Sequence, residues 1–96
     1  MFNKTIWKFE LRDFCNKIKM PKGSKVLTAQ LQDETPCIWV EVDSFETDHE
    51  NRYFYLIGTG QQFPDNEVEY ISTVQADALV WHIYEIINPG VEVESK

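Results

Sequence analysis

The sequence predicts a single small all-β domain, an antiparallel sandwich or barrel of six to seven short strands. Apolar and polar residues alternate with a period of two along most of the 96-residue chain. Turn-forming residues separate these segments at regular intervals, and no segment keeps a 3.6-residue period over a window of about eleven residues. The length accommodates one domain over residues 1–96 and no second core.

Four strands are predicted in the first half: Thr5–Leu11, Asn16–Met20, Lys25–Gln32 and Cys37–Asp43. In the first, Trp7, Phe9 and Leu11 share one face, which we expect to be buried. Proline fixes φ and glycine permits a positive φ, so Pro21–Ser24 predicts a turn after the second strand. The third and fourth strands form a hairpin around a four-residue loop, Asp33–Pro36.

Three more strands follow in the second half: Arg52–Ile57, Val68–Gln75 and Leu79–Ile87. Polar stretches at 44–51 and 61–67 predict the loops between them. Gln75–Ile87 is also a helical candidate, because its helix formers compete with β-branched and aromatic residues; we predict a strand there. Residues 88–96 are predicted to be a frayed acidic tail.

The net charge of −7 is unevenly distributed. Residues 1–25 contain seven basic and two acidic residues, a balance of +5, whereas residues 26–96 contain two basic and fourteen acidic residues, a balance of −12. Folding can simply interleave the two regions. Alternatively, Lys17–Lys25 forms an anion-binding patch, or an acidic face meets a basic partner. Net acidity argues against direct nucleic-acid binding, which needs a dominant positive field.

The sequence shows no targeting or membrane signal. No stretch approaches the roughly 18 apolar residues of a membrane span, and the N-terminus has no apolar signal region. Cys15 and Cys37 lack CxxC spacing and read as ordinary thiols of a reducing compartment. We therefore expect a cytoplasmic protein without a membrane partner, bound metal or cofactor.

Six short motifs occur in a specific order: Ile6-Trp-Lys-Phe, Met20-Pro-Lys-Gly, Cys37-Ile-Trp-Val, Gly58-Thr-Gly, Tyr70-Ile-Ser-Thr-Val-Gln and Leu79-Val-Trp-His-Ile-Tyr-Glu. Together they resemble a family of small proteins of unknown function common in tailed-phage genomes, over roughly residues 5–86. The chain departs from that pattern at 76–78, often a His/Gly-rich turn in such sequences, and at Ser72, where they have glycine. The family carries no assigned catalytic activity, so the resemblance implies phage origin and compact size but no mechanism.

Catalytic signatures are weak throughout. His82 can pair with Ser72 or Glu85, but no nucleophile elbow is present, and a histidine between Trp81 and Ile83 is more often structural. His49 lies between two carboxylates in a polar loop, which is too few ligands for a metal ion. We therefore predict that the protein is not an enzyme.

Binding is the better-supported class of function. The candidate ligand-binding residues are Lys22, Lys25, Thr59, Thr73, Gln75 and His82. The two lysines flank a glycine-containing turn that can offer charge and backbone N–H groups to an anion. The two threonines, the glutamine and the histidine supply neutral donors and acceptors suited to a base edge or a ribose. Trp39, Tyr53, Tyr55, Trp81 and Tyr84 either fill the core or form a stacking surface.

Three functions remain open at this point. The first is a phage accessory protein that counters host immunity by sequestering a nucleotide-derived signal, its partner being a small phosphorylated ligand in the host cytoplasm. The second is an acidic inhibitor that binds a host defence protein, such as a nuclease, by mimicking nucleic acid. The third is a phage structural or replication accessory domain. Because a domain this small has sheet edges to cover, we also expect a homo-oligomer.

Overall fold

A computed structural model describes residues 2–88 and shows an all-β domain within that range. The strands are β1 (Lys4–Glu10), β2 (Cys15–Pro21), β3 (Lys25–Gln32), β4 (Thr35–Asp43), β5 (His49–Gly58), β6 (Val68–Ala76) and β7 (Leu79–Ile86). The predicted fold class and number of strands are confirmed. The predicted frayed tail lies outside the described residues except for Asn88. Within 2–88, no helix is long and apolar enough to cross a membrane.

The strands form two antiparallel sheets. One has three strands in the order β1-β4-β3, and the other has four in the order β2-β5-β7-β6. The main core lies between the two sheets, and its fully buried side chains include Phe54, Ile38, Ile83, Met20 and Val40. Residues 53–57 of β5 are buried on both faces, because a second apolar cluster covers the outer side of this central strand. Packing on both faces of β5 therefore fixes the position of the strand that supports the outer face of the four-stranded sheet.

Most strand ends lie within one residue of the sequence prediction, and two strand boundaries differ by more. The β3–β4 hairpin has a two-residue turn, not a four-residue loop, because Asp33 (φ 52°) and Glu34 (φ 67°) both adopt the left-handed conformation that tight hairpin turns require. The polar loop predicted for 44–51 is wrong in its last three residues. They begin β5, since its first residue, His49, lies opposite Pro21 and the pairing with β2 continues from there.

The predicted burial of one face of the first strand is only partly correct. Leu11 is buried just beyond β1 and Phe9 is half-buried, but Trp7 remains 38% exposed. β1 is the end strand of its sheet, so β4 covers one of its edges while solvent reaches the other. The alternating pattern identified the strand correctly, but alternation cannot show that a strand extends past the core.

β3 and β6 run side by side where the two sheets meet. The backbone N–H of Ala29 donates to Ser72 Oγ across this seam at 3.2 Å. Both strands change register here, β3 between Val26 and Thr28 and β6 between Tyr70 and Ser72. The structure is thus a sandwich that is nearly closed along one side.

Candidate functional site

The outer face of the four-stranded sheet places polar side chains from three segments beside one another. His82 on β7 lies between Ile57 on β5 and Thr73 on β6. Because Ile83 points into the core, its neighbour His82 points outward. Directly opposite residues of an antiparallel pair share a face, so Thr73 points outward as well. The loop after β5 brings Thr59 over the same face, where its N–H donates to Val80 O at 3.3 Å.

These side chains form a continuous hydrogen-bonded chain. His82 Nε2 lies 2.8 Å from Thr59 Oγ1, and His82 Nδ1 lies 3.0 Å from Thr73 Oγ1. Thr73 Oγ1 is in turn 2.7 Å from the Tyr70 hydroxyl. We call Thr59, His82, Thr73 and Tyr70 the hydroxyl–imidazole chain. Its four members come from β6, β7 and the 59–67 loop, so it depends on the tertiary fold.

The direction of donation along this chain depends on the histidine tautomer. A neutral imidazole carries one N–H donor and one acceptor nitrogen, whereas a hydroxyl can do both. If Nδ1 is protonated, His82 donates toward Thr73 and accepts from Thr59; the other tautomer reverses both hydrogen bonds. Either end of the chain can therefore present a donor or an acceptor to a bound molecule.

A row of aromatic rings lies next to the chain. The ring centroids are 5.2 Å apart for Phe14 and Tyr55, 5.8 Å for Tyr55 and Phe63, 5.6 Å for Phe63 and Tyr84, and 5.5 Å for Tyr84 and Tyr70. We call these five residues the aromatic row. These spacings are typical of favourable tilted and edge-to-face pairs. Tyr70 belongs to both groups and is 55% exposed.

The Tyr55 hydroxyl anchors the loop that carries Phe63. It donates to Asn66 Oδ1 at 2.5 Å, and burial raises the pKa of the phenol, which keeps it in the neutral, donating form. This contact holds the 59–67 loop over the sheet. The same loop carries Thr59 at its start, so one anchor supports both the aromatic row and the hydroxyl–imidazole chain.

The structure brings together some of the predicted site residues and separates others. Thr59, Thr73 and His82 are in direct contact. Gln75 lies on β6 beside them, and its side-chain amide donates to Asp77 O at 3.4 Å. Lys25 is on β3 of the other sheet, where it lines a cavity with Tyr70. Lys22 is at the opposite end of the four-stranded sheet. The β5 residues next to the two regions, His49 and Ile57, are eight positions apart, which corresponds to about 26 Å.

The basic turn offers less to an anion than the sequence suggested. The Lys22 N–H donates to Asp48 O at 2.9 Å, and the Gly23 N–H donates to Glu50 Oε2 at 3.2 Å. The Ser24 N–H and hydroxyl both donate to Pro21 O. Three successive backbone N–H groups of the turn are thus already bonded, one of them to a carboxylate. Lys25 lies opposite Glu41 on the other sheet.

Tyr70, Phe63 and Phe14 are the site residues that sequence reasoning missed. In a regular strand, Tyr70 and Thr73 would point to opposite faces because they are three positions apart. The register shift between Tyr70 and Ser72 returns both to the same face. Of the five aromatic residues proposed for stacking, Tyr55 and Tyr84 belong to the aromatic row.

The remaining three proposed stacking residues lie elsewhere. Tyr53 is buried in the second apolar cluster, Trp39 lies on the three-stranded sheet and Trp81 packs against the main core near Gly58. Within residues 2–88, no group of three or more histidine, cysteine or carboxylate side chains is arranged to hold a metal ion.

Fold and site together define a single antiparallel β-sandwich domain with a polar and aromatic patch on one outer face. Residues 2–93 match the family described as a domain of unknown function, DUF7352, and the chain belongs to that family. No curated protein and no solved structure matches the chain.

Proposed function

We propose that this protein is a non-enzymatic binding module that sequesters a small nucleotide-derived signal on the outer face of its four-stranded sheet. The observation that carries the proposal is the hydroxyl–imidazole chain lying directly beside exposed aromatic rings. A nucleoside presents a flat base with donors and acceptors on its edge, together with sugar hydroxyls. The patch offers a complement to each of these groups.

The polar part of the patch suits a base edge or a ribose. Thr59 and Tyr70 are the exposed ends of the chain, and the His82 tautomer sets which end donates. Gln75 adds an amide with two donors and one acceptor oxygen at the same edge of the sheet. The patch can thus match an edge that mixes donors and acceptors without moving the backbone.

The aromatic part supplies a stacking surface. The rings of Tyr70 and Phe63 are both exposed and both contact Tyr84, which lies between them. Stacking a base on an aromatic side chain contributes about 1–3 kcal/mol and tolerates any base identity. Specificity then comes from the polar chain and affinity largely from the rings.

The phosphate groups would meet a lysine other than the two that the sequence suggested. Lys17 on β2 lies opposite Tyr53, so it shares the outer face with the aromatic row. Lys22 is about 26 Å from His82 along the sheet. Lys25 is on the three-stranded sheet, where it lines a cavity with Tyr70 but does not share the outer face. We therefore assign the phosphate contact to Lys17.

Binding without turnover is supported by the hydrogen bonds of His82. Both ring nitrogens are bonded to threonine hydroxyls, and neither is bonded to a carboxylate that would orient the ring as a general base. The counter-defence role in a phage-infected host cell is supported by the sequence resemblance described above. Sequestration needs only affinity and abundance, which a domain of this size can provide.

Isothermal titration with a panel of mononucleotides, cyclic nucleotides and cyclic dinucleotides tests the proposal. We expect His82→Ala and Thr73→Val each to weaken binding by tenfold or more, and Lys17→Ala to weaken binding of phosphorylated ligands only. Thr5→Val on β1 of the other sheet and Lys22→Ala serve as matched controls that leave binding intact. No binding across the panel, or binding that His82→Ala leaves unchanged, would refute the site.

A second candidate function is an acidic inhibitor of a host defence protein. Asp65, Glu67 and Glu69 are all exposed where the 59–67 loop enters β6, which places three carboxylates at one corner of the domain. Charge reversal of all three should abolish inhibition while His82→Ala leaves it intact. Inhibition by this route should also fall steeply as salt rises from about 50 to 500 mM, because exposed charges are screened.

A further inference from the structure

We propose that two copies of this protein join through β1. The two β1 strands, one from each copy, pair in antiparallel orientation about a two-fold axis at Trp7. The two three-stranded sheets then become one continuous six-stranded sheet. This inference is independent of the ligand proposal, because it uses the other sheet and different residues.

Among residues 2–88, nothing pairs with the outer backbone edge of β1, and the hydrogen-bonding groups of this edge can be assigned. The Ser44 N–H donates to Asn3 O at 2.7 Å, and the Leu11 N–H donates to Pro36 O at 2.9 Å. These two bonds lie just beyond the two ends of the β1–β4 ladder, and both involve odd-numbered residues on the β1 side, Asn3 and Leu11. Bonding alternates along an antiparallel ladder, so the odd residues of β1 bond to β4. The N–H and C=O groups of Lys4, Ile6, Lys8 and Glu10 therefore point outward.

The side chains along this edge are unusually exposed for apolar residues. Ile6 is 57% exposed and Trp7 is 38% exposed, although both lie within a regular strand. Phe2, just before the strand, is almost fully exposed. Apolar side chains beside unpaired backbone groups are the combination that favours pairing with another strand.

The other end strands carry a proline or a register shift that discourages such pairing, and β1 has neither. β2 carries the outward-pointing Lys17 and Lys19 and ends in Pro21. β3 and β6 lie against each other, and each contains a register shift. β1 pairs with β4 over seven residues without a shift and contains no proline. Proline and bulges protect sheet edges, and lysines do so when no opposite charge faces them; β1 has two lysines, Lys4 and Lys8, but no proline or bulge, so within residues 2–88 it is the edge best able to pair.

The assigned hydrogen bonds restrict the register. Outward-pointing groups belong to even-numbered residues, so an even residue of one copy must lie opposite an even residue of the other. Pairing about Ile6 would place Lys4 opposite Lys8, and pairing about Lys8 would place two Lys8 residues opposite each other. Like charges directly opposite are destabilising. Pairing about Trp7 avoids both and uses the whole strand.

Pairing about Trp7 also creates complementary contacts. Lys4 of each copy lies opposite Glu10 of the other, which adds two symmetry-related ion pairs to the exposed ones within each copy, Lys4 with Glu41 and Arg12 with Glu10. The two Trp7 residues lie opposite each other on one face, each flanked by Phe9, with which Trp7 already makes an edge-to-face contact at 6.3 Å. When two β1 strands run in opposite directions, the positive end of one thus faces the negative end of the other. This complementarity identifies a second copy of the chain as the partner.

Sedimentation analysis of the full chain from 1 to 200 μM tests self-association. We expect a concentration-dependent dimer. Glu10→Lys and Lys4→Glu should each weaken it by tenfold or more, because each places like charges opposite one another. The double variant Lys4→Glu/Glu10→Lys should recover dimerisation, since it exchanges the two charges. A monomer at 200 μM, or a dimer that neither single variant weakens, would overturn the proposal.

Cysteine cross-linking tests the register directly. In a Cys15→Ala background, Trp7→Cys places two thiols opposite each other at a pair not bonded through the backbone, where Cα atoms are about 4.5 Å apart. Mild oxidation should give a disulfide-linked dimer in high yield. Lys8→Cys is the matched control, because its thiols would be offset along the strand. Equal yields from both variants, or cross-linking of Lys8→Cys alone, would contradict pairing about Trp7.

Discussion

Arg52 and Glu85 form a two-pronged ion pair between β5 and β7 at one end of the sandwich. Arg52 Nε lies 2.6 Å from Glu85 Oε2, and Arg52 Nη2 lies 3.0 Å from Glu85 Oε1. Arg52 also donates to Ser24 O at 2.5 Å and lies 3.6 Å from Glu50. The hydrogen bonds that Arg52 donates to Glu85 raise the pKa of Arg52 further above its usual value, so the guanidinium is permanently charged. One side chain thus ties the β2–β3 turn to the sheet.

Breaking this pair should destabilise the fold measurably. Glu85→Gln replaces the nearer carboxylate beside a largely shielded guanidinium by a neutral amide, and only the more distant Glu50 remains as a counter-charge. We expect a loss of about 2 kcal/mol in the free energy of unfolding. Urea denaturation monitored by tryptophan fluorescence measures the change. Arg12→Ala, which removes the exposed Arg12–Glu10 pair, is the control and should cost less than about 0.5 kcal/mol. Equal effects of the two variants would contradict a special role for Arg52.

The β3–β4 turn should accept glycine with a gain in stability. Glu34 has a φ of 67°, a conformation that costs a non-glycine residue about 1 kcal/mol. Glu34→Gly should therefore raise the free energy of unfolding by about 0.5–1 kcal/mol. Gln30→Gly, in the adjacent strand, should lower it by a similar amount. Thermal unfolding of both variants gives the comparison, and a destabilised Glu34→Gly protein would refute the prediction.

Stability should decrease in alkaline solution partly because of Tyr55. Burial raises the pKa of Tyr55 in the folded state, so its contribution is present below the unfolded pKa of about 10 and is lost as pH rises through the folded value. Tyr55→Phe should be less stable near pH 8, because it loses the hydrogen bond to Asn66. The difference from the unmodified protein should shrink above pH 10. Urea titrations at pH 8 to 11 measure it, and a constant difference would contradict the assignment.

The two cysteines should differ in reactivity. Cys37 is 1% exposed and Cys15 is half-buried, and burial raises the pKa of both thiols. At pH 8, iodoacetamide should therefore modify Cys15 slowly and Cys37 only when the protein unfolds. Mass spectrometry of digested samples, with and without denaturing urea, identifies the modified site. Rapid modification of Cys37 in the native protein would show that its sheet opens readily.

The sequence predicted the strands well because alternation is a local property. All seven strands were identified, and β3 was predicted with its observed ends, Lys25 and Gln32. The errors arose where the outcome depends on a distant partner. His49 extends β5 because it lies opposite Pro21, and Trp7 is exposed because its strand lies at the edge of a sheet. Neither partner can be inferred from the neighbouring residues.

The candidate site was predicted in part for the same reason. Thr73 and His82 were chosen for their chemistry, and the β6–β7 hairpin then placed them opposite each other. Tyr70 was missed because a register shift, which no local pattern signals, turns it to their face. Lys22 was grouped with them on charge alone, whereas strand order places it at the other end of the sheet.

The pairing of β1 with β4 has a consequence for the order of events during synthesis. β1 emerges from the ribosome before its partner, which begins at Thr35, beyond two intervening strands. At about 5–20 residues per second, the N-terminal strand waits roughly 2–7 seconds before β4 is complete. During that interval its apolar residues have no native neighbour. The nascent chain is thus vulnerable to co-translational mispairing, and a chaperone that holds the first ten or so residues would act at this stage.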